Sequence, residues 1–308
     1  MSRPPTFTPP PGARAYRLRT ARGEFAVVDA PAAPGAEPRG TALLVPGFTG
    51  SKEDFHPLLE PLAARGYRTV AVDGRGQFES EGPEDDESAY AQDALARDVL
   101  AQAAALGTPV HLLGHSLGGL VARAAALLDH SPFLSLTLMS SGPAEISVPQ
   151  QQRVKLLRDA LAVHSMAEVW DLMQLMETPA DTDPRTATGT GTPAGTGTDG
   201  GLALDSGAPT QADLRRRWLG TRAAQLIVTG HQLCVEPDRV AELAALPLPF
   251  HVLSGARDDA WPVPLLDGMA VRLGARRTVV EGAEHSPNCD RPLATAEAVA
   301  DFWDSTGR

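Results

Sequence analysis

The sequence predicts an α/β domain on a parallel sheet, interrupted by a helical cap, and three observations carry that prediction. Short apolar runs rich in β-branched residues alternate with longer helical patterns in both the first half of the chain and its last quarter, which is the pattern of crossover units on a parallel sheet. The alternation stops between about Ser141 and Leu246, where two helical patterns flank a stretch of a different kind. At 308 residues, 43% hydrophobic and 21% charged, the chain can bury a sizeable core.

Residues 1–12 are Pro-rich and are expected as an extended, poorly ordered arm. Ala15 to Arg19 and Glu24 to Val28, joined by a Gly-containing turn, read as an antiparallel hairpin. Strands are then predicted at Thr41 to Val45, Arg68 to Asp73, Val110 to Leu113 and Leu134 to Ser140, with helices at Phe55 to Ala64, Ala89 to Leu106 and Leu117 to Leu128 between them. The cap, residues 141–246, is predicted to follow the sixth strand. It holds one helical pattern from Gln150 to Glu177, rich in Leu, Met and Trp, and a second from Ala212 to about Val228. Between them residues 181–210 contain 7 Gly, 8 Thr and 3 Pro, so few side chains can anchor a core and a flexible insertion is expected. Alternation resumes with a helix Asp238 to Leu246, a strand Phe250 to Ser254, a helix Pro264 to Leu273, a strand Arg277 to Val280 and a closing helix Ala294 to Trp303. The core is thus expected in two pieces, 13–140 and 247–308.

Composition narrows the partners. A formal net charge of -11 without any basic run argues against a nucleic acid and against an anionic membrane surface. Two isolated cysteines, Cys234 and Cys289, make neither a disulfide framework nor a zinc site. The N-terminal stretch lacks the apolar segment of a secretory signal, and no window approaches a membrane span. A cytoplasmic protein acting on a small molecule is expected; its oligomeric state is open.

The sharpest motif is Gly114-His115-Ser116-Leu117-Gly118, placed where a predicted strand meets a predicted helix. A G-x-S-x-G turn in that context is tight enough to demand glycine on both flanks, and it lifts a serine hydroxyl above the sheet at a helix N-terminus. A hydroxyl becomes a useful nucleophile only when a base takes its proton and a third group orients that base. His285, in the loop after the last predicted strand, is the candidate base. Asp258, in the polar turn after Phe250 to Ser254, is the candidate orienting acid, with Asp259 as fallback and Glu145 as a further alternative. Two backbone donors are also needed for a developing oxyanion; Leu117 N–H and Phe48 N–H, from the loop Pro46-Gly47-Phe48-Thr49-Gly50-Ser51, are the candidates. His115, Trp170, Met173 and Trp261 are candidate substrate contacts from the elbow, the cap and the acid turn.

From Ala13 to Trp303 the chain resembles the α/β-hydrolase superfamily, within it the single-domain esterases, thioesterases and monoglyceride-lipase-like hydrolases. Besides the elbow, Val72-Asp73-Gly74-Arg75-Gly76-Gln77-Phe78-Glu79-Ser80 is similar to the family's D-x-R-G-x-G-x-S loop, with Phe78 in place of Gly. Gly255, Asp258 and Pro262 match its G-x-x-D-x-x-x-P pattern, and the order Ser116, Asp258, His285 is the family's chain order. A departure is Pro46-Gly47, where many members have His-Gly. The resemblance implies an eight-stranded, mostly parallel sheet, no cofactor and no metal. It implies a serine hydrolase of carboxylic esters or thioesters working through an acyl-enzyme, with an apolar acyl pocket under the cap. A carbon-carbon bond hydrolase, acyltransferase or cyclase with the same triad, or a small-molecule binding protein with little turnover, are the competing expectations.

Overall fold

The computed structural model describes residues 3–107, 109–177 and 209–306. Its centre is the eight-stranded sheet that the resemblance implies: β1 Arg14–Thr20, β2 Gly23–Ala30, β3 Gly40–Val45, β4 Tyr67–Val72, β5 Val110–His115, β6 Phe133–Met139, β7 Phe250–Gly255 and β8 Arg276–Val280. They lie in the order β1-β2-β4-β3-β5-β6-β7-β8. β2 pairs antiparallel with both β1 and β4, while every pairing from β4 to β8 is parallel. Parallel neighbours require crossovers, and helices supply them on both faces. α1 His56–Ala64 follows β3, α2 Gln92–Leu106 follows β4 and α3 Leu117–Leu128 follows β5. β6 is followed by α4 Val148–Leu161, α5 Met166–Glu177, α6 Gln211–Gly220, α7 Ala223–Val235 and α8 Val240–Ala244. α9 Val263–Leu273, the short α10 Pro287–Asp290 and α11 Pro292–Thr306 complete the chain.

Side chains alternate across the pleat, so each buried strand feeds two cores. Leu43 and Val45 face one cluster with Val70, Val72, Val110, Leu112 and residues of α2, α3 and α9. Ala42 and Leu44 face the other, with Ala71, Leu113, Leu253 and residues of α1 and α11. Leu43 and Leu44 are both fully buried, and each such side chain contributes about 1.5–3 kcal/mol. Both cysteines are free, and among the described residues no helix is long and apolar enough to cross a membrane.

The differences from the sequence reading have local causes. The single helix expected from Gln150 to Glu177 is two, α4 and α5. Ser165 and Glu168 form a reciprocal cap, the Ser165 N–H donating to the Glu168 carboxylate at 2.8 Å and the Glu168 N–H to Ser165 Oγ at 3.3 Å, and this starts a new helix. The second pattern also splits, because α6 ends at Gly220 and the chain is extended at Thr221 and Arg222 before α7 begins. α2 begins at Gln92 rather than Ala89, after a 3-10 turn Glu87–Tyr90. The N-terminal segment, expected as a poorly ordered arm, bends and lies against the body: Phe7 meets the Phe78 ring edge-on at 6.1 Å and sits beneath the Arg216 and Arg217 guanidinium groups. The expected insertion at 181–210 lies, apart from its last two residues, outside the described residues.

Candidate active site

The elbow is forced by sterics. Ser116 has φ 54° and ψ -121°, a region that side-chain-bearing residues avoid. A Cβ on Gly114 would overlap the Gly118 backbone, and one on Gly118 would overlap the Val45 and Pro46 carbonyls. β5 and α3 can therefore meet this closely only through glycine. The strain places Ser116 at the N-terminus of α3, with its own N–H paired to the Met139 carbonyl at 2.9 Å, so the elbow remains stitched into the sheet.

Three side chains from three strand ends converge there. His285 Nε2 lies 3.0 Å from Ser116 Oγ. Its Nδ1 faces both oxygens of Asp258, at 2.9 Å and 3.0 Å. The Asp258 side chain is fully buried, while His285 is 27% exposed. Asp258 Oδ1 also accepts the N–H groups of Ala260 and Trp261 at 2.9 Å and 3.0 Å. Burial alone would push the Asp258 carboxyl up; the hydrogen bond and charge of His285 and the two amides outweigh it and hold the carboxyl below its ordinary value. A carboxylate so held accepts a hydrogen bond from Nδ1–H, which leaves Nε2 as the acceptor facing the Ser116 hydroxyl. Asp259 makes no hydrogen bond to His285 among those described: it is exposed, receives the Gln150 amide and lies 3.5 Å from Arg153. Glu145 is exposed. Asp258, Asp259 and His285 also form a group with metal-ligand spacing, but Asp258 Oδ1 is already committed to two amides and to His285, and the imidazole spans Asp258 and Ser116.

The two candidate backbone donors are free of backbone acceptors. Leu117 N–H, at the first position of α3, has no partner within its helix, and none is found elsewhere for it or for Phe48 N–H among the described residues. Behind them Gln77, which the sequence reading did not single out, donates from Nε2 to the Gly47 carbonyl at 2.9 Å. Lys52 lies buried against Asp73, Glu53 and Glu79 at 2.7 to 2.9 Å and joins the loops after β3 and β4. Burial disfavours the Lys52 charge, but Asp73 and Glu53 outweigh it and hold the ammonium protonated.

A cavity of about 380 Å³ opens in front of Ser116. Its apolar wall is Phe48 together with Ile146, Val154, Leu157 and Leu233, the last three from α4 and α7; its mouth carries Gln150, Arg153 and Asp259. Of the four candidate substrate contacts, His115 lines this cavity and three do not. Trp170 is buried with Val169, Leu161, Leu214, Trp218 and Leu226, and Met173 packs against that cluster, so both build the inside of the helical insertion. Trp261 is fully buried, its indole N–H donating to the Ala144 carbonyl at 2.9 Å and its ring 6.3 Å from the His285 ring. Those three are corrected to packing residues; their size made them equally suited to a pocket or a core, and composition cannot separate the two. His115 Nε2 donates to the His285 carbonyl at 2.8 Å. Burial first, and the neighbouring His285 second, push its imidazole down to about 4, so it is neutral near pH 7.

The chain matches the alpha/beta hydrolase family over residues 42–298. A pimeloyl-(acyl-carrier protein) methyl ester esterase of Aeromonas hydrophila is 29% identical over 268 residues, 84% of this chain and 94% of that protein. A rhodomycin D methylesterase of Streptomyces sp. (strain C5) is 28% identical over 79% of this chain and 82% of its own. A carbamate hydrolase-like protein of Variovorax paradoxus is 39% identical, but over 100 residues, 32% of this chain and 37% of that one. Among solved structures, an esterase from Thermogutta terrifontis superposes with a TM-score of 0.69 at 19% identity, covering 96% of this chain and 100% of its own. The enol-lactonase of Burkholderia xenovorans LB400 does so with 0.68 at 20%, covering 94% and 100%.

Proposed function

The chain belongs to the alpha/beta hydrolase family, and from that premise we propose that it hydrolyses a small, largely apolar carboxylic ester through Ser116, His285 and Asp258. The observation that carries the reading is the unbroken hydrogen-bond path from Ser116 Oγ through His285 to a buried Asp258. His285 Nε2 takes the hydroxyl proton as Ser116 Oγ attacks the ester carbonyl. The resulting oxyanion is held by the N–H groups of Phe48 and Leu117. The imidazolium, stabilised by Asp258, returns the proton to the leaving alcohol, and an acyl group remains on Ser116. Water then repeats the sequence, giving its proton to His285 and its oxygen to the acyl carbon, and Ser116 leaves with its proton restored.

The pocket supports an acyl group lying along Ile146, Val154, Leu157 and Leu233. Two of the relatives named above carry methyl ester cleavage in their names, which supports a small alcohol as leaving group. The test is hydrolysis of p-nitrophenyl esters of two to sixteen carbons by the native protein and by Ser116→Ala. Turnover confined to the native protein, with an optimum at short to medium chains, is expected. Equal rates in the two proteins would overturn the reading.

A further inference from the structure

A peptide group is planar and trans, so its carbonyl and its N–H point in opposite directions. The Gly47 carbonyl and the Phe48 N–H belong to one such group. The carbonyl is held from behind: Gln77 Nε2 donates to it at 2.9 Å, and the Gly50 N–H closes a turn on it at 3.1 Å. Gln77 is 5% exposed. Its own orientation is fixed, because Oε1 accepts the Gly74 N–H at 2.9 Å and the amide cannot be reversed without setting like groups against each other at both ends. Gln77 borders a cavity of about 30 Å³ behind the loop, shared with Pro46, Leu117 and Gly118. Gly47 and Phe48 border the cavity in front, shared with Ser116. With the carbonyl drawn to the rear, the N–H of the same plane faces the front.

We infer that Gln77 is a positioning residue for the oxyanion: by holding the Gly47 carbonyl it aims the Phe48 N–H at the carbonyl oxygen of the substrate. The inference rests on the reading of Ser116 as nucleophile and Phe48 as donor. It concerns a loop after β4 acting on a loop after β3, two segments about 30 residues apart in the chain. Since the Gly50 bond survives, losing Gln77 misdirects the donor rather than removing it, so the loss stays below the 10²–10³-fold cost of deleting an oxyanion donor.

The test compares native protein, Gln77→Met and Gln102→Met for hydrolysis of p-nitrophenyl butyrate and for inhibition by n-butylboronic acid. Boron adds to the serine oxygen and forms a tetrahedral anion that uses the oxyanion donors, whereas ground-state substrate binding uses them little. Gln102 borders the same rear cavity, while the side-chain hydrogen bond described for the Gly47 carbonyl comes from Gln77, so the Gln102 variant controls for packing. Gln77→Met is expected to lose kcat and boronate affinity together, each about 10-fold, with KM within roughly 3-fold. Gln102→Met should leave the boronate affinity unchanged. Gln77→Asn, which keeps a neutral amide one methylene too short to bridge Gly74 and Gly47, guards against a folding defect and should lose kcat and boronate affinity in the same proportion. Native boronate affinity in Gln77→Met, or an equal loss in Gln102→Met, overturns the inference. Equal boronate affinity in native protein and Ser116→Ala overturns the nucleophile assignment and the inference with it.

Discussion

The turns at the ends of β5, β7 and β8 and the helical insertion, through its α4 and α7, meet at one cavity, yet they are built on different principles. The turns are determined backbone by backbone. Ser116 is strained, its flanking glycines leave no room for a Cβ, and Asp258 is buried under two amides and an imidazole. The helices are held by apolar contacts and by buried ion pairs, Arg123 with Glu236 and Arg217 with Asp54, whose members are all 1% exposed. The proposed chemistry, which tolerates only errors of well under an ångström, sits on the first construction. The wall proposed to select a substrate sits on the second, where side chains can change without moving the proposed reacting atoms.

The sharpest break in that comparison should come between two adjacent carboxylates. Asp258→Asn is expected to lower kcat about 10⁴-fold by putting the wrong imidazole tautomer in place, whereas Asp259→Asn should stay within a few-fold; parallel steady-state kinetics reads both, and comparable losses would mean the acid is misassigned. On the helical side, Glu236→Ala leaves the Arg123 guanidinium buried without its carboxylate, and chemical denaturation should show a loss of about 3–5 kcal/mol. At low temperature its kcat should be nearly native. A kcat that collapses while stability holds would show that the helices take part in the chemistry.

Smaller effects sharpen the picture. Leu233→Ala, on the cavity wall, should change the preference between neighbouring acyl lengths by roughly 10-fold, read as a shift in the chain-length profile at constant Ser116 reactivity. The pH dependence of stability reads the buried imidazoles. Burial lowers His56, His111, His115 and His251, the last three to about 4, 4 and 3. Each is neutral when folded but titrates near 6.5 when unfolded, so the unfolded chain binds more protons as pH falls below 6.5. Stability should therefore decline from about pH 6.5 towards 4 and be level above that range. Melting temperatures across pH 4 to 8 check it, and a flat profile would contradict the burial of these imidazoles.

The uneven legibility of the sequence follows from the same contrast. The strand order of turns was readable because a G-x-S-x-G turn admits one backbone path, and because His285 and Asp258 follow strands that end at the same edge of the sheet. Helices of the insertion could be recognised but not divided, since the break at Ser165 depends on a reciprocal cap that a continuous apolar pattern masks. Trp170 and Trp261 show why pocket residues were misjudged: a large aromatic is equally at home filling a core. Gln77 is invisible in the sequence for another reason, because its proposed role depends on which way one peptide plane is turned.

Everything proposed for the site depends on Ser116 being the nucleophile activated by His285. Intact and peptide mass spectrometry after brief exposure to a fluorophosphonate tests it without knowledge of the substrate. A single phosphonyl adduct is expected on the peptide containing Ser116, absent from Ser116→Ala and formed at least about 10³-fold more slowly in His285→Ala. An adduct on another residue, or equally fast labelling without His285, would contradict it.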